Sequence, residues 1–378
     1  MSLVGNLKET LAVNVKNIVG WKTKRKIVVF SVDDYGNVQL DSKDARDKLF
    51  ANGLKTITRF DQFDALETPD DLHALYETLS SVKDKSNRPA VFTAFSVCAN
   101  IDFERMRDDG YSTYYYEELP DTFEKLKGYQ GAWDLWQQGM RDRLLSPQFH
   151  GREHLNVKVL MERLQRKDPL VLACFDNRSY TAIADTGYRT IDFSAALDFY
   201  HFEENEELKK VAADGLDLFE QVFGYRAKNF TPCGSNGYSS TLDPILFAGG
   251  IQYIDTSRFK ADHLGEGRFE KREFNYTGKK NTLGQSYLVR NCVFEPTDER
   301  GIDWVAFCMR QIEAAFRWHM PANISSHRVN FCGQIDPSNR TQGLQALRQL
   351  LTAIVKRWPD VEFMTSRELG DVMTADQG

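Results

Sequence analysis

The run KIVVFSV at residues 26–32 constrains the fold more than any other feature of the sequence. It is an apolar run of the kind expected for a strand that is buried on both faces. Strands of this type belong to parallel sheets whose two faces are covered by helices. The run ends directly in two carboxylates, Asp33 and Asp34. The sequence therefore predicts a central parallel strand with charged groups at its carboxyl end.

Predicted strands alternate with predicted helices along the whole chain. The clearest helices are expected at 68–84, 203–224, 302–318 and 341–357, and strands at 88–97, 249–256, 286–294 and 322–330. We count seven or eight such units, which predicts an α/β fold with a (β/α)7-8 barrel rather than an open sheet. One domain over residues 1–378 is the simplest account, with an N-terminal amphipathic helix at 1–20.

A long segment at residues 99–143 interrupts this alternation. It is rich in aromatic residues, including Trp133 and Trp136, and contains the runs YSTYYYEELP and GAWDLWQQGM. A connection of this length between two strands is too long to be a plain loop. We expect this insertion to carry a local function or a small structure of its own.

Composition argues against several classes of protein. The formal net charge is −6 and no dense Lys/Arg cluster occurs, so we expect no nucleic-acid partner. No apolar run approaches the ~18 residues that a membrane span needs, and the N-terminus lacks the apolar core of a signal peptide, so we expect a cytoplasmic protein with no membrane partner. Six cysteines without a CxxC pair indicate buried free thiols rather than disulfides.

Reactive side chains follow three of the predicted strands. Asp33 and Asp34 follow the first, His150 and His154 follow the short strand SPQF, and His327 and Arg328 follow the strand at 321–326. The carboxyl ends of the strands form the rim where active sites of α/β barrels assemble. We therefore expect these groups to converge.

Each of these motifs also has a plain structural interpretation. The segment DDYGN makes a good β-turn after any strand. His150 and His154 could cap loop backbone, and His327 could be a buried histidine hydrogen-bonded to a neighbouring serine. Adjacent carboxylates at the end of a buried strand are costly, however, unless a cation or a proton relieves them.

Taken together, the groups provide a hydrolytic apparatus. Two histidines and a carboxylate are a ligand set for Zn²⁺ or a similar divalent ion with a water in an open position. The metal would lower the pKa of that water, a second carboxylate would accept its proton, and a separate histidine would donate a proton to the leaving group. Such a site hydrolyses an amide or an ester.

The motifs SVDDYG, HGREH and SSHR, in this order, resemble those of the NodB-type polysaccharide deacetylases (carbohydrate esterase family 4). The resemblance implies a distorted (β/α) barrel that removes acetyl groups from N-acetylated sugars with a bound metal, commonly zinc. It implies that Asp33 is the catalytic base, that Asp34, His150 and His154 bind the metal, and that His327 is the general acid.

The resemblance has one clear departure. The segment NFTPCGSNGY looks like the RxPxG loop, with Pro232 and Gly234 in place, but the arginine of the motif falls at Phe230. In the family this arginine orients the base. Arg152 or Arg328, which neighbour ligand-like residues in the sequence, are candidate substitutes.

A second departure concerns the Asp-x-Asp-Trp motif of the family, which has no clean counterpart. Asp255, in the segment QYIDTS, occupies about the right region. The spacing between Asp34 and His150 is also longer than the family usually shows. The resemblance is therefore to a divergent branch of the family.

The leading hypothesis is a metal-dependent deacetylase acting on an N-acetylated sugar or a related small amide. The alternatives are a glycoside hydrolase with paired carboxylates and no essential metal, and a carbohydrate-binding protein that lost catalysis with the motif arginine. Trp133 and Trp136 would either stack on a sugar ring or form the core of the insertion. The substrate, the metal and the oligomeric state stay open at this stage.

Overall fold

The computed structural model describes residues 11, 13–54, 58–180, 186–188, 190–234 and 238–376. The predicted N-terminal helix at 1–20 falls mostly outside these residues, and only 11 and 13–15 are seen to be helical. The strands are β1 (Lys26–Tyr35), β2 (Phe92–Val97), β3 (Ala99–Ile101), β4 (Tyr116–Glu118), β5 (Leu145–Gly151), β6 (Asn229–Phe230), β7 (Tyr253–Asp255), β8 (Phe259–Lys260), β9 (His263–Gly265), β10 (Arg268–Phe269), β11 (Glu273–Phe274), β12 (Ser286–Leu288), β13 (Cys292–Val293), β14 (Ala322–His327) and β15 (Val361–Met364).

Helices connect most of these strands. Their bounds are Lys43–Ala51, Phe60–Phe63, Pro69–Ser80, Phe103–Asp108, Leu119–Lys125, Ala132–Arg141, Val157–Gln165, Pro169–Asp176, Asn205–Phe223, Asp243–Ala248, Trp304–Arg317, Pro337–Arg357 and Ser366–Ala375. The caps follow the sequence closely. Thr68 forms a capping box with Asp71 and is followed by Pro69, the arrangement that satisfies the free N–H groups at a helix start.

The main sheet is parallel throughout, and its strand order is β12-β7-β6-β5-β2-β1-β14-β13, with β15 also paired to β1. Strand β1 lies in the middle and is almost entirely buried, as its apolar sequence predicted. All the strand ends that carry reactive groups therefore point to the same edge of the sheet.

The two outer strands of this sheet belong to one stretch of chain. β12 pairs with β7 and β13 pairs with β14, yet only three residues, 289–291, separate them. The sheet must therefore curl until its two edges meet in this stretch. This closure confirms the predicted α/β fold with a distorted barrel, and it places Arg290 at the seam between the two edges.

The insertion at 99–143 has regular structure of its own. Strands β3 and β4 form an antiparallel pair joined through the helix Phe103–Asp108, and two more helices follow before β5. The last of these helices, Ala132–Arg141, packs against β5 and serves as the crossover helix that a parallel sheet requires.

Two further sequence predictions can be compared with the described residues. All six cysteines are free and buried, as predicted. Among the described residues, no helix is both long enough and apolar enough to cross a membrane.

Candidate active site

The two carboxylates at the end of β1 turn towards different partners. Asp33 lies in register with His327 on the neighbouring strand β14. Asp34 has a left-handed backbone conformation, with φ of 75°, which a non-glycine residue adopts only with some strain. Both residues are buried. The adjacent charges are thus separated by the backbone turn.

Asp34 faces the histidine pair. His150 lies at the end of β5, and its Nε2 is 3.4 Å from Asp34 Oδ1. His154 lies in the turn that follows, with its Nε2 3.0 Å from the same oxygen. The Nδ1–H of His150 donates to the carbonyl oxygen of Thr231 at 2.9 Å, which leaves its Nε2 free to face Asp34 as a lone pair.

The electrostatics of this group favour a cation. Burial raises the pKa of Asp34, but the hydrogen bonds to His150 and His154 outweigh it and hold that pKa well below its usual range. Burial lowers the pKa of His154, whereas the charges and hydrogen bonds of Cys233 and Asp34 raise it to about 10. The lone pair of an imidazole nitrogen and a nearby carboxylate repel each other unless a positive charge lies between them. The donor set therefore fits a metal ion, and a proton can take the place of that ion.

Cys233 is a further donor at this position. Its thiol lies close enough to both histidines that the three ligand atoms are all within 4.8 Å of one another. The thiol also donates to the carbonyl oxygen of His150 at 2.6 Å. In addition, Nδ1 of His154 is buried and has no hydrogen-bond partner within the described part of the chain. The site therefore offers oxygen, nitrogen and sulfur donors.

Arg290 holds Asp33 in place. Its guanidinium donates to both carboxylate oxygens of Asp33, at 2.5 and 2.8 Å, and to Asp255 at 3.0 Å. Bidentate pairing of this type fixes the orientation of a carboxylate. Burial raises the pKa of Asp255 to about 6 in spite of the charge of Arg290.

The structure places the two arginines suggested by sequence elsewhere. Arg152 pairs with Glu153 and Asp214. Arg328 is buried and pairs with Asp64 and Glu67. Neither forms an ion pair with Asp33, because adjacency to a ligand-like residue in the sequence does not bring their side chains to the same face. The arginine that pairs with Asp33 is Arg290.

His327 lies beside Asp33 and is held by Glu295. Its Nδ1 is 2.7 Å from Glu295 Oε1, and its Nε2 is 3.9 Å from Asp33 Oδ2. Burial lowers the pKa of His327, but the charge of Glu295 and the hydrogen bond to it raise it to about 9. Arg59 and Asn330 also bind Glu295, so this carboxylate is fixed from several sides.

The loop after β6 borders a cavity of about 210 Å³ next to Asp33. Pro232 and Gly234 are among its lining residues. Gly234 has φ of 67°, and a Cβ there would meet that of Ala195 at 2.8 Å, so the position requires glycine. Phe230 instead packs in the core, with its ring 5.8 Å from that of Phe149.

The two tryptophans, for which the sequence left a sugar-stacking role or a core role open, both pack in the apolar core. Trp136 is fully buried, and its indole N–H donates to Glu67 at 3.0 Å. Trp133 stacks on Trp136 and packs against Phe223. These rings form the core under the crossover helix, because the insertion needs apolar contacts to be ordered, and neither lines the cavity beside Asp33.

Three site residues were missed in the sequence: Cys233, Arg290 and Glu295. Arg290 and Glu295 both belong to the run SYLVRNCVFE, which was interpreted only as a strand. An arginine inside such an apolar run is a signal, since a buried guanidinium needs a carboxylate partner. Cys233 lies between Pro232 and Gly234, inside the motif already identified.

Comparison with known proteins gives only structural matches. No protein-family model and no curated protein matches the chain. A polysaccharide deacetylase structure from Mycobacterium smegmatis matches with 12% identity over 95% of this chain and 94% of its own, at a TM-score of 0.47. A protein described as a glycoside hydrolase/deacetylase from Parabacteroides distasonis matches with 10% identity over 95% and 73%, at 0.49.

A family 4 acetyl xylan esterase from Clostridium thermocellum, solved with a cobalt ion, matches with 11% identity over 92% of this chain and 91% of its own, at a TM-score of 0.32. What these structures share with this chain is the fold.

Proposed function

We propose that this protein is a metal-dependent hydrolase that removes an acetyl group from an N-acetylated sugar or a related amide. The observation that carries the proposal is a juxtaposition. Asp34, His150 and His154 converge on one point, and directly beside them Asp33 is held by Arg290 and faces His327. This arrangement provides a cation site, a base and an acid around one space.

Asp34, His150 and His154 would hold the metal, with Cys233 within reach. The nitrogen, oxygen and sulfur donors suit Zn²⁺. When bound there, a divalent ion would lower the pKa of a water molecule and polarise an acyl carbonyl group. The hydrogen bond from His150 to Thr231 keeps the ring oriented for ligation whether or not the ion is bound.

Asp33 is the proposed general base. The bidentate contact with Arg290 fixes the orientation of the carboxylate, which lines the cavity. An ionised carboxylate in this position accepts a proton from an attacking water. Because Arg290 pairs with Asp33, the proposed base has a cationic partner even though Phe230 occupies the position of the motif arginine.

His327 is the proposed general acid. A pKa of about 9 keeps its imidazole protonated at neutral pH, with Glu295 fixing Nδ1 so that Nε2 faces Asp33. A protonated imidazole there can donate to the nitrogen of the departing amine. The proposed acid and base thus lie next to each other, with 3.9 Å between Nε2 of His327 and Oδ2 of Asp33.

The alternatives fit the geometry less well. A glycoside hydrolase needs two carboxylates that act independently, but Asp33 and Asp255 share one guanidinium. A binding protein without catalysis was suggested by the missing motif arginine, and Arg290 removes that reason.

The experiment is acetate release from a panel of N-acetylated mono- and oligosaccharides. We expect activity that is abolished by a chelator, restored by Zn²⁺, and reduced at least a hundredfold in Asp33→Asn and in His327→Asn. Arg268→Gln, an exposed arginine, is the matched control and should leave the rate unchanged. Release of reducing sugar that persists in chelator would instead select the glycoside hydrolase, and acetate release unaffected by chelator would contradict the metal role.

A further inference from the structure

The cavity beside Asp33 is lined by two arginines with different partners. Arg290 is fixed by its two carboxylates, whereas Arg258 belongs to the segment 256–258, which also lines the cavity. Its volume of about 210 Å³ far exceeds the ~10–15 Å³ that one water molecule needs on the same measure. The cavity is therefore large enough for part of an organic substrate.

Arg258 differs from every other arginine of comparable burial. Among the described residues, each arginine that is at least partly buried has a carboxylate oxygen within 4.0 Å, except Arg258. Its guanidinium instead lies over the ring of Phe274, 5.8 Å from the centroid. Desolvation by burial lowers its pKa.

A second cation, Lys16, makes the burial of the Arg258 charge more unfavourable. The ammonium group of Lys16 is partly buried, and the charge of Arg258 lowers its pKa further. Within the described part of the chain, Lys16 also has no carboxylate within 4.0 Å. Two partly buried cations without counter-charges are unfavourable unless an anion joins them.

We propose that Arg258 binds an anionic group of the substrate, a carboxylate or a phosphate, in the cavity beside Asp33. The inference rests on the proposed function and narrows it: the substrate is an N-acetylated compound that carries a negative charge next to the acetamido group. Arg258 would then determine specificity without taking part in bond cleavage. Thr256 and Ser257 also line the cavity.

The first experiment compares kcat/KM for acetate release from three related substrates. N-acetylglucosamine is neutral, its 6-phosphate carries a phosphate, and N-acetylglucosaminuronic acid carries a carboxylate. We expect the wild type to prefer at least one charged substrate by about ten- to a hundredfold, the value of a charge-assisted hydrogen bond. Which of the two is preferred identifies the anion.

The variants separate charge from packing. Arg258→Gln should lose the preference for the charged substrate and retain its rate on the neutral one, while Arg258→Lys should keep part of the preference. Arg268→Gln removes a charge from the same segment, where the side chain is 68% exposed, and should change nothing. A wild type that cleaves all three substrates equally well, with no effect of Arg258→Gln, would overturn the inference and leave the deacetylase function intact.

A binding measurement tests the anion site without catalysis. Inorganic phosphate and glucuronate are titrated calorimetrically into the wild type and Arg258→Gln, and again with both proteins carrying His150→Ala and His154→Ala, so that an ion at the histidines does not contribute. We expect at least tenfold weaker binding of one anion in Arg258→Gln in both backgrounds. Equal binding would overturn the anion site, whereas weaker binding without acetate release from any substrate would retain it and reject the deacetylase function.

Discussion

Arg290 and Arg328 each bind two carboxylates, yet their surroundings differ. Arg328 contacts Asp64 at 2.9 Å and Glu67 at 3.1 Å, and its side chain is only 1% exposed. Arg290 contacts Asp33 and Asp255, but it borders an open cavity and is 14% exposed. The guanidinium of Arg328 therefore belongs to the packed interior, whereas that of Arg290 holds Asp33 of the proposed active site. The two arginines differ in their access to solvent.

The comparison also shows why sequence position misleads. Arg328 directly follows His327, whereas Arg290 is 257 residues away from Asp33 along the chain. Neighbours in a strand or turn point in different directions, so Arg328 contacts Asp64 and Glu67 while His327 lies beside Asp33. Arg290 reaches Asp33 because the barrel closes at its position.

The largest expected effect is on stability, in Arg328→Ala. Removing this arginine leaves Asp64 and Glu67 buried without a counter-charge, which should lower the free energy of unfolding by about 3–5 kcal/mol. Urea denaturation measures it. The control is Arg348→Ala, which breaks the exposed pair with Glu77 and should cost less than about 1 kcal/mol. Similar small losses in both variants would contradict a structural role for Arg328.

Arg290→Gln should act mainly on the rate. Without the bidentate contact Asp33 loses its orientation, and kcat should fall by about a hundred- to a thousandfold. The loss of stability should be smaller than in Arg328→Ala, because water can reach Asp33 through the cavity and Asp255 can take up a proton. Metal content should stay unchanged. A variant that unfolds but keeps the wild-type kcat when folded would reverse the comparison.

Glu295→Gln should change the pH dependence. The pKa of His327, about 9 in the folded protein against 6.5 for a free histidine, should fall when the charge of Glu295 is removed. Because the proposed acid must be protonated, the alkaline limb of the kcat/KM profile should move to lower pH. An alkaline limb at the same pH in both proteins would contradict the role of His327.

The same pKa shift predicts a trend in stability. Since the folded pKa lies above the unfolded value, the interaction with Glu295 stabilises the fold fully below pH 6.5, and this contribution is lost as the pH rises through about 9. The decline of unfolding free energy over this range should be shallower in Glu295→Gln than in the wild type.

Phe230→Leu should have the smallest effect. The ring packs against Phe149 and Tyr238 in the core, so a shorter apolar side chain should cost less than about 1.5 kcal/mol and leave kcat unchanged. Thermal unfolding and acetate release measure the two quantities. A large loss of kcat with little loss of stability would show that this position still serves the base, as in the family motif.

Local patterns were sufficient to predict much of the fold. The apolar run of β1, the capping box at Thr68 and the alternation of strands and helices each depend on nearby residues. The convergence of Asp33, Asp34, His150 and His327 followed from one rule, that parallel strands end at the same edge. The structure brings these groups together as that rule predicts; their chemical roles remain proposals.

The rest depends on contacts that no local pattern encodes. Arg290 lies at the seam between the two edges of the sheet, and only closure of the barrel brings it to Asp33. The burial of Trp136 depends on how the insertion packs against the rest of the protein. In the sequence, the same aromatic residues are equally suited to stacking on a sugar ring. Partner choice for buried charges is a property of the tertiary structure.

Metal content per chain, determined by mass spectrometry, tests the central claim most directly. The protein is purified without added metal or an affinity nickel column and compared with His150→Ala/His154→Ala and with Arg290→Gln. We predict one divalent ion per chain in the wild type and in Arg290→Gln, and none in the histidine variant. Absence of metal from all three proteins, even after incubation with Zn²⁺, would show that the two histidines bind only Asp34 and would contradict the proposed hydrolase.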